Sequence, residues 1–189
     1  MQNALLVIDF INDIVHPNGK IASSSTHTSE KNAIANANKA MLYARQHGWL
    51  VILVKVGFES NYHTHPKNSP MFGKAKQFGA LALGKFGTEF HAELDVQASD
   101  YVIEKPRISS FYGTALEPAL RANKIEHLYV CGVSTEWAIQ ATVRDGHDRD
   151  YLITIIEDAC AAGSEEEHQQ SILMLSRIAT VIPVANLGK

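Results

Sequence analysis

Short apolar runs recur along this chain with helix-length amphipathic stretches between them, and that alternation restricts the fold more than any other feature. The runs are ALLVID (4–9), WLVILVKV (49–56), YVIEK (101–105), EHLYVCG (126–132), YLITIIED (151–158) and ATVIPV (179–184). The first two are continuous apolar stretches, the pattern of strands covered on both faces, and the others are strand-like in the same way. Strands that alternate with helices imply right-handed crossovers and a largely parallel sheet. The expected fold is therefore α/β: a three-layer α/β/α domain of Rossmann type, with a six-stranded, mainly parallel sheet.

The intervening segments carry helix signals. SEKNAIANANKAMLYARQHG (29–48) has apolar positions at Ile34, Ala37, Met41 and Ala44, with Ser29 as its predicted cap and Gly48 as its stop. TALEPALRANK (114–124) reads as a helix capped by Thr114, with Pro118 tolerated in its first turn. TEWAIQATVRDGHD (135–148) is another helix, and SEEEHQQSILMLSRI (164–178) opens with a capping box, Ser164 and Glu167. Residues 57–99 have weak periodicity. GFESNYHTHPKNSPMFG is loop-like and TEFHAEL (88–94) reads as a short helix. So long an excursion predicts an active-site or interface loop.

The totals exclude several functions. The 189 residues are 46% hydrophobic and 20% charged, which suits one domain spanning 1–189 with a sizeable core. A net charge of −3 with scattered Lys and Arg gives no surface for nucleic acid or membrane. The N-terminus enters a strand-like segment at once, without the pattern of a targeting sequence, so a cytoplasmic location is expected. Cys131 and Cys160 are too few for a disulfide framework and read as buried free thiols.

In a parallel sheet, ligands sit beyond the carboxyl ends of the strands. That rule selects Asp9, the residues after Val56, Lys105 and the GVST turn (132–135). Asp9 could equally cap a turn, and Lys105 could be a solvated surface residue. If the two converge, an ammonium beside the carboxylate would form an acid–base pair. The hydroxyls of Ser134 and Thr135 are expected to cap the helix that follows.

LLVIDFINDI with HPNG, then EKPRISSFYGTALEPAL, then LYVCGVSTEWAIQATVRDG, then IIEDACAAGSEEEHQQSI resemble the successive signatures of the isochorismatase-like hydrolase family. They come in order and span nearly the whole chain, residues 57–99 being weakly matched. The resemblance implies an α/β/α fold around a six-stranded parallel sheet, a small-molecule substrate and a homo-oligomer, dimer or tetramer. No cofactor is expected for this chain.

In the amidase branch of that family the triad is Asp, Lys and Cys. By resemblance the acid falls on Asp9, the lysine on Lys105 and the nucleophile position on Ala138. The resemblance also implies a cis peptide between Val133 and Ser134 that aims backbone N–H groups at a developing oxyanion. Ala138 cannot form an acyl-enzyme, and the Cys131 side chain is expected to point into the sheet's packing.

Three readings of Ala138 stand. The chain is a hydrolase without covalent catalysis, in which Asp9 protonates a vinyl ether and water attacks. Or it is a cysteine amidase or ureide hydrolase with its nucleophile replaced by alanine. Or it is a non-catalytic binding protein on this scaffold.

Two further features bear on the substrate. Nicotinamidases of the family carry an Asp-x-His metal site after the second strand. Here Gly57 stands there and no acid matches, and His63-x-His65 alone reads as structural or solvated, so no metal is expected. A dicarboxylate would need basic groups, for which Arg107, Arg144 and Lys55 are the candidates. Arg144 could instead pair with Asp148 on its own helix. Phe58, Tyr62, Phe111 and Tyr112 could wall an apolar pocket or pack at a subunit interface, and Thr135 is a further pocket candidate.

Overall fold

A computed structural model describes all 189 residues. Six parallel strands form one sheet: β1 (Gln2–Ile8), β2 (Leu50–Val56), β3 (Tyr101–Lys105), β4 (Ile125–Val133), β5 (Leu152–Ala161) and β6 (Thr180–Ile182). Their order across the sheet is β3-β2-β1-β4-β5-β6. The central strand β1 is paired on both sides, Leu6 with Ile52 of β2 and with Val130 of β4. Both edges of β1 are therefore paired, and with helices packed on both faces of the sheet its residues from Ala4 to Ile8 are all buried.

The helices are α1 (Asn12–Val15), α2 (Ser25–Glu30), α3 (Ala33–Gln46), α4 (Ala75–Phe78), α5 (Leu116–Ala122), α6 (Gln140–His147) and α7 (Glu165–Leu175). The chain moves one way from β1 to β2 and the other way from β3 onward. Right-handed crossovers accordingly put α3 on one face and α5, α6 and α7 on the other. No helix is long and apolar enough to cross a membrane.

Local details differ from expectation at four places. The helix predicted from Ser29 is two helices, because Lys31 and Asn32 break it and Asn32 takes a left-handed φ of 51°. Ser29 therefore lies inside α2, not at a cap. TEFHAEL forms no α-helix; a single 3₁₀ turn at Phe86–Thr88 ends on its first residue. Thr114 sits one residue ahead of the Ala115 cap, its Oγ1 donating to Ser110 O at 2.6 Å and accepting from Leu116 N at 3.2 Å. Arg144 donates to Gln140 Oε1 at 2.9 Å, back along its helix, while Asp148 is paired with His147. By contrast, Ser164 does cap α7, accepting the Glu167 N–H at 3.3 Å.

Residues 57–99 fold back over the carboxyl ends of the strands. Asp13 holds them there: its Oδ2 accepts the Leu81 N–H at 2.7 Å and its Oδ1 accepts the Lys20 N–H at 3.2 Å. Beneath this excursion a small apolar cluster of Ile11, Val56, Phe58, Tyr62, Ala75, Ala80 and Leu81 forms apart from the main core. The segment read as an active-site or interface loop is thus anchored from below by its own aromatics.

Candidate active site

The strand order reverses between β1 and β4, and the residues leaving those two strands meet at that switch point. Asp9 follows β1 with a left-handed φ of 57°. Its backbone N–H continues the ladder to Val54 O at 2.8 Å, so its side chain is delivered to the sheet edge. There Oδ1 accepts the Val56 N–H at 2.7 Å, and Oδ2 receives Lys105 Nζ at 2.8 Å. Lys105 ends β3, in register with Val56, and reaches across β2 to the acid.

The Lys105 and Asp9 side chains are 1% and 3% exposed. The other two donors of Lys105 go to Arg107 O and Ile108 O, both at 3.1 Å, so the amine is fully engaged. Burial pushes the Asp9 carboxyl above its ordinary value, against the lowering effect of the Lys105 charge and of the hydrogen bonds from Lys105 and Val56. Asp9 is therefore easier to protonate than a surface aspartate.

The turn after β4 closes the opposite wall. The Val133–Ser134 peptide is cis. Ser134 O then accepts the N–H groups of Trp137 and Ile139 at 3.2 and 3.1 Å, opening a π-helical turn over Thr135–Ile139. Such turns recur at functional sites. Ala138 lies in it, 4% exposed.

These elements enclose a cavity of about 340 Å³ whose lining includes Asp9, Lys105, Val133, Ser134 and Ala138. Thirteen of its 21 lining residues are hydrophobic, so a ligand there loses most of its water. The excursion supplies one side, with Met71, Phe72, Ala75, Phe78, Ala80 and Leu81. No histidine and no cysteine lines it. Cys131 and Cys160 are fully buried, and burial pushes the Cys160 thiol up to about 12.

The expected pocket aromatics lie elsewhere. Phe58 is buried in the cluster beneath the excursion, and Tyr62 beside it donates to Ala80 O at 2.8 Å. Phe111 is in the main core, stacked on Tyr151, and Tyr112 is exposed. Arg107 ties two loops together through Thr64 O at 3.0 Å and lies over the Tyr112 ring. Lys55 pairs with Glu104 at 3.4 Å. None of these residues lines the cavity. His65 is packed against Phe58 and Tyr62, with Nδ1 on Tyr62 O at 2.8 Å, while His63 is exposed. The structure groups no three His, Cys, Asp or Glu residues that could hold a metal.

Ser134 makes no capping bond, and Thr135 does not cap either. Thr135 is buried and bonded at 2.9 Å to His168 Nδ1 on α7. The other nitrogen of His168 faces Glu157 at 3.4 Å, and the His27 ring stands 5.8 Å away. His27 in turn accepts the Ala162 N–H and meets Glu165 at 2.8 Å. The turn is thus braced from behind by a buried imidazole network. Sequence reading missed this brace, and it also missed Glu136 and Trp137 on the cavity wall. Both stand in the same motif as Ala138.

A family model described as the isochorismatase domain matches residues 3–186. The chain is 34% identical over 185 residues to the ureidoacrylate amidohydrolase RutB of Acinetobacter baylyi, covering 90% of this chain and 76% of that one. N-carbamoylsarcosine amidase from Thermoplasma acidophilum superposes with a TM-score of 0.80 at 27% identity, over 100% of both chains. An isochorismatase family protein from Desulfovibrio vulgaris superposes with a TM-score of 0.88 over 98% of this chain and 96% of that one. At 24% identity, that last likeness speaks to the fold alone.

Proposed function

Because this chain belongs to the isochorismatase family of hydrolases, we propose that it hydrolyses a small molecule in the cavity by acid–base chemistry on water, with Asp9 and Lys105 as the working pair and no covalent intermediate. The observation that carries the reading is the buried Asp9–Lys105 contact of 2.8 Å in a cavity wall that also includes Ala138 and no thiol or imidazole. Asp9 in its protonated form donates to the substrate. Lys105 then stabilises the carboxylate left behind. Water attacks the oxocarbenium ion and returns a proton to Asp9, and the hemiacetal so formed breaks its C–O bond to release a carbonyl compound and an alcohol. A vinyl ether is the bond type this suits, because its cleavage starts with proton transfer to carbon and needs no nucleophilic side chain. The turn from Val133 to Ala138 holds the substrate against the pair.

A second reading is favoured by the 34% identity to a ureidoacrylate amidohydrolase. On it, the chain is an amide or ureide hydrolase scaffold whose nucleophile position holds alanine. One experiment separates the two. Aldehyde release from small alkyl vinyl ethers is assayed with the unaltered chain and Asp9→Asn, and amine or ammonia release from simple amides and ureides with Ala138→Cys. Vinyl-ether turnover that disappears in Asp9→Asn supports the first. A burst of acylation gained only by Ala138→Cys supports the second. Neither activity in either chain overturns both.

Assembly into a homo-oligomer is part of the same proposal. It is supported by the exposed Ile21, Met71, Phe78 and Trp137 around the cavity mouth, which a second copy would cover. A monomer mass by light scattering at micromolar concentration would refute it.

A further inference from the structure

Glu136 stands in the cavity wall between Ser134 and Trp137. Its Oε1 accepts the Gly163 N–H at 3.3 Å. Its Oε2 is closed to solvent and has no hydrogen-bond partner, and it is the only buried side-chain nitrogen or oxygen of the chain in that condition. An acceptor left in this state is costly, so such atoms are rare and call for an explanation. No lysine, arginine or histidine bonds to Glu136; burial and the like charge of Glu167 raise its pKa, against the lowering effect of the Ser134 hydroxyl and the Gly163 N–H.

The cations of the cavity do not balance this carboxyl. Lys105 is committed to Asp9 and two carbonyls. Lys74, the other cationic lining residue, is exposed at the rim. Arg107 and Arg144, the groups that a dicarboxylate would need, lie outside the lining. A dianion entering this cavity would lose its hydration, meet an uncompensated carboxyl and find no free buried cation.

We propose that Glu136 is a specificity-determining residue that accepts a hydrogen bond from a ligand N–H, so that the cavity selects small, largely apolar molecules carrying a primary amide, ureide or amine and rejects dicarboxylates. Because Oε2 is closed to solvent as it stands, this contact requires the carboxyl to turn toward the cavity that Glu136 lines. The donor it gains there offsets the loss of the ligand's own hydration. Burial raises the Glu136 carboxyl above its usual range, which is the direction expected of an acid that lacks a cation. The selection concerns the recognition handle, not the bond that is cut. It rests on the cavity being the substrate site, as proposed above.

Binding is the test, so that it does not depend on turnover. The probes are n-butylurea and glutarate, of similar size, titrated against the full chain by ligand-detected NMR. In the unaltered chain butylurea should bind at least about tenfold more tightly than glutarate, a difference of about 1.4 kcal/mol. Glu136→Gln keeps an oxygen for Gly163 N–H and presents an NH₂ in place of Oε2. It should weaken butylurea by about tenfold and tighten glutarate, with the melting temperature little changed.

Glutarate binding as well as butylurea, or no butylurea binding at all, overturns the proposal without any variant. An unchanged ratio in Glu136→Gln overturns it as well. A chain that binds butylurea with this preference but hydrolyses neither vinyl ethers nor amides sinks the reaction proposed above and leaves the assignment of Glu136 standing.

Discussion

Lys105 Nζ lies 2.8 Å from Asp9 Oδ2, although the two residues are 96 positions apart (105 − 9) and each is almost completely removed from solvent. Two charges cannot be buried singly at tolerable cost, so each makes the other's place possible. Removing only one should be severe. Lys105→Met is expected to lower unfolding free energy by about 3–5 kcal/mol in urea titrations. Asp9→Asn/Lys105→Met together should cost less than the sum of the two single changes. Single variants within about 0.5 kcal/mol of the parent would show that the pair is not energetically coupled.

The raised Asp9 carboxyl gives a pH dependence of definite sign. Because its folded pKa lies above the ordinary 3.8, the folded chain holds this proton more tightly than the unfolded one. The stability it contributes is complete below 3.8 and is lost as pH rises through the folded value. Turnover that uses protonated Asp9 falls over the same limb. Unfolding free energies of the parent and Asp9→Asn, measured from acid to neutral pH, should differ by a term that declines with rising pH. A term that grows instead would reverse the assignment.

His168 runs the other way. Burial first, and then the Lys31 charge, lower its pKa from 6.5, against the raising effect of Glu157 and Glu165. Its contribution is present above 6.5 and lost as pH falls through the lowered folded value. His168→Asn keeps an acceptor near Thr135 and removes the titration. The stability of that variant should decline less steeply below neutrality than the parent's, as read by thermal melts at stepped pH. Parallel slopes would contradict the prediction.

Gly132 sets the spacing of β1 and β4 just before the site. Its φ is 129°, and a Cβ there would stand 2.1 Å from Ile8 O, in the residue ahead of Asp9. Both conformation and space exclude a side chain. Gly132→Ala is expected to destabilise by more than about 3 kcal/mol or to prevent folding, because the contact is backbone against backbone and cannot relax cheaply. Near-parental stability in guanidinium titrations would argue against the close approach.

The two native thiols should be silent. Cys131 and Cys160 are buried, and burial raises both above the usual thiol range, so neither presents a thiolate near neutral pH. A colorimetric disulfide reagent at mildly alkaline pH should therefore label neither in the native chain and both after denaturation. Ala138→Cys should add one thiol that reacts without denaturant, since position 138 lines the cavity. Rapid native labelling of the parent would refute the burial.

Much of this molecule could be read in the chain. All six runs became strands: the inner ones because a segment hydrophobic on both sides is stable inside a covered parallel sheet, while the edge strands β3 and β6 stay partly exposed. The four motifs led to the family that the comparisons support. Helix ends were read less well. Ser29 and Thr114 looked like caps, yet the α2–α3 break at Asn32 depends on a left-handed residue that no periodicity announces.

The pocket aromatics fared worst. Phe58, Tyr62 and Phe111 could have walled a pocket or packed at a subunit interface, and each instead packs in a core cluster of the chain itself. Side-chain type decides that a residue will be buried, but not which of two buried surfaces it joins.

That division has a physical cause. Alternation, hydropathy and local motif are properties of neighbouring residues, so the sequence by itself determined the strands, their parallel arrangement and the family. The partners at the site come from distant parts of the chain: Asp9 with Val56 and Lys105, Thr135 with His168, Glu136 with Gly163. Only the folded sheet, by setting the strand order and bringing the carboxyl ends of β1 and β4 together, decided which groups would meet. It also decided that one carboxylate oxygen, on Glu136, would be left without a partner.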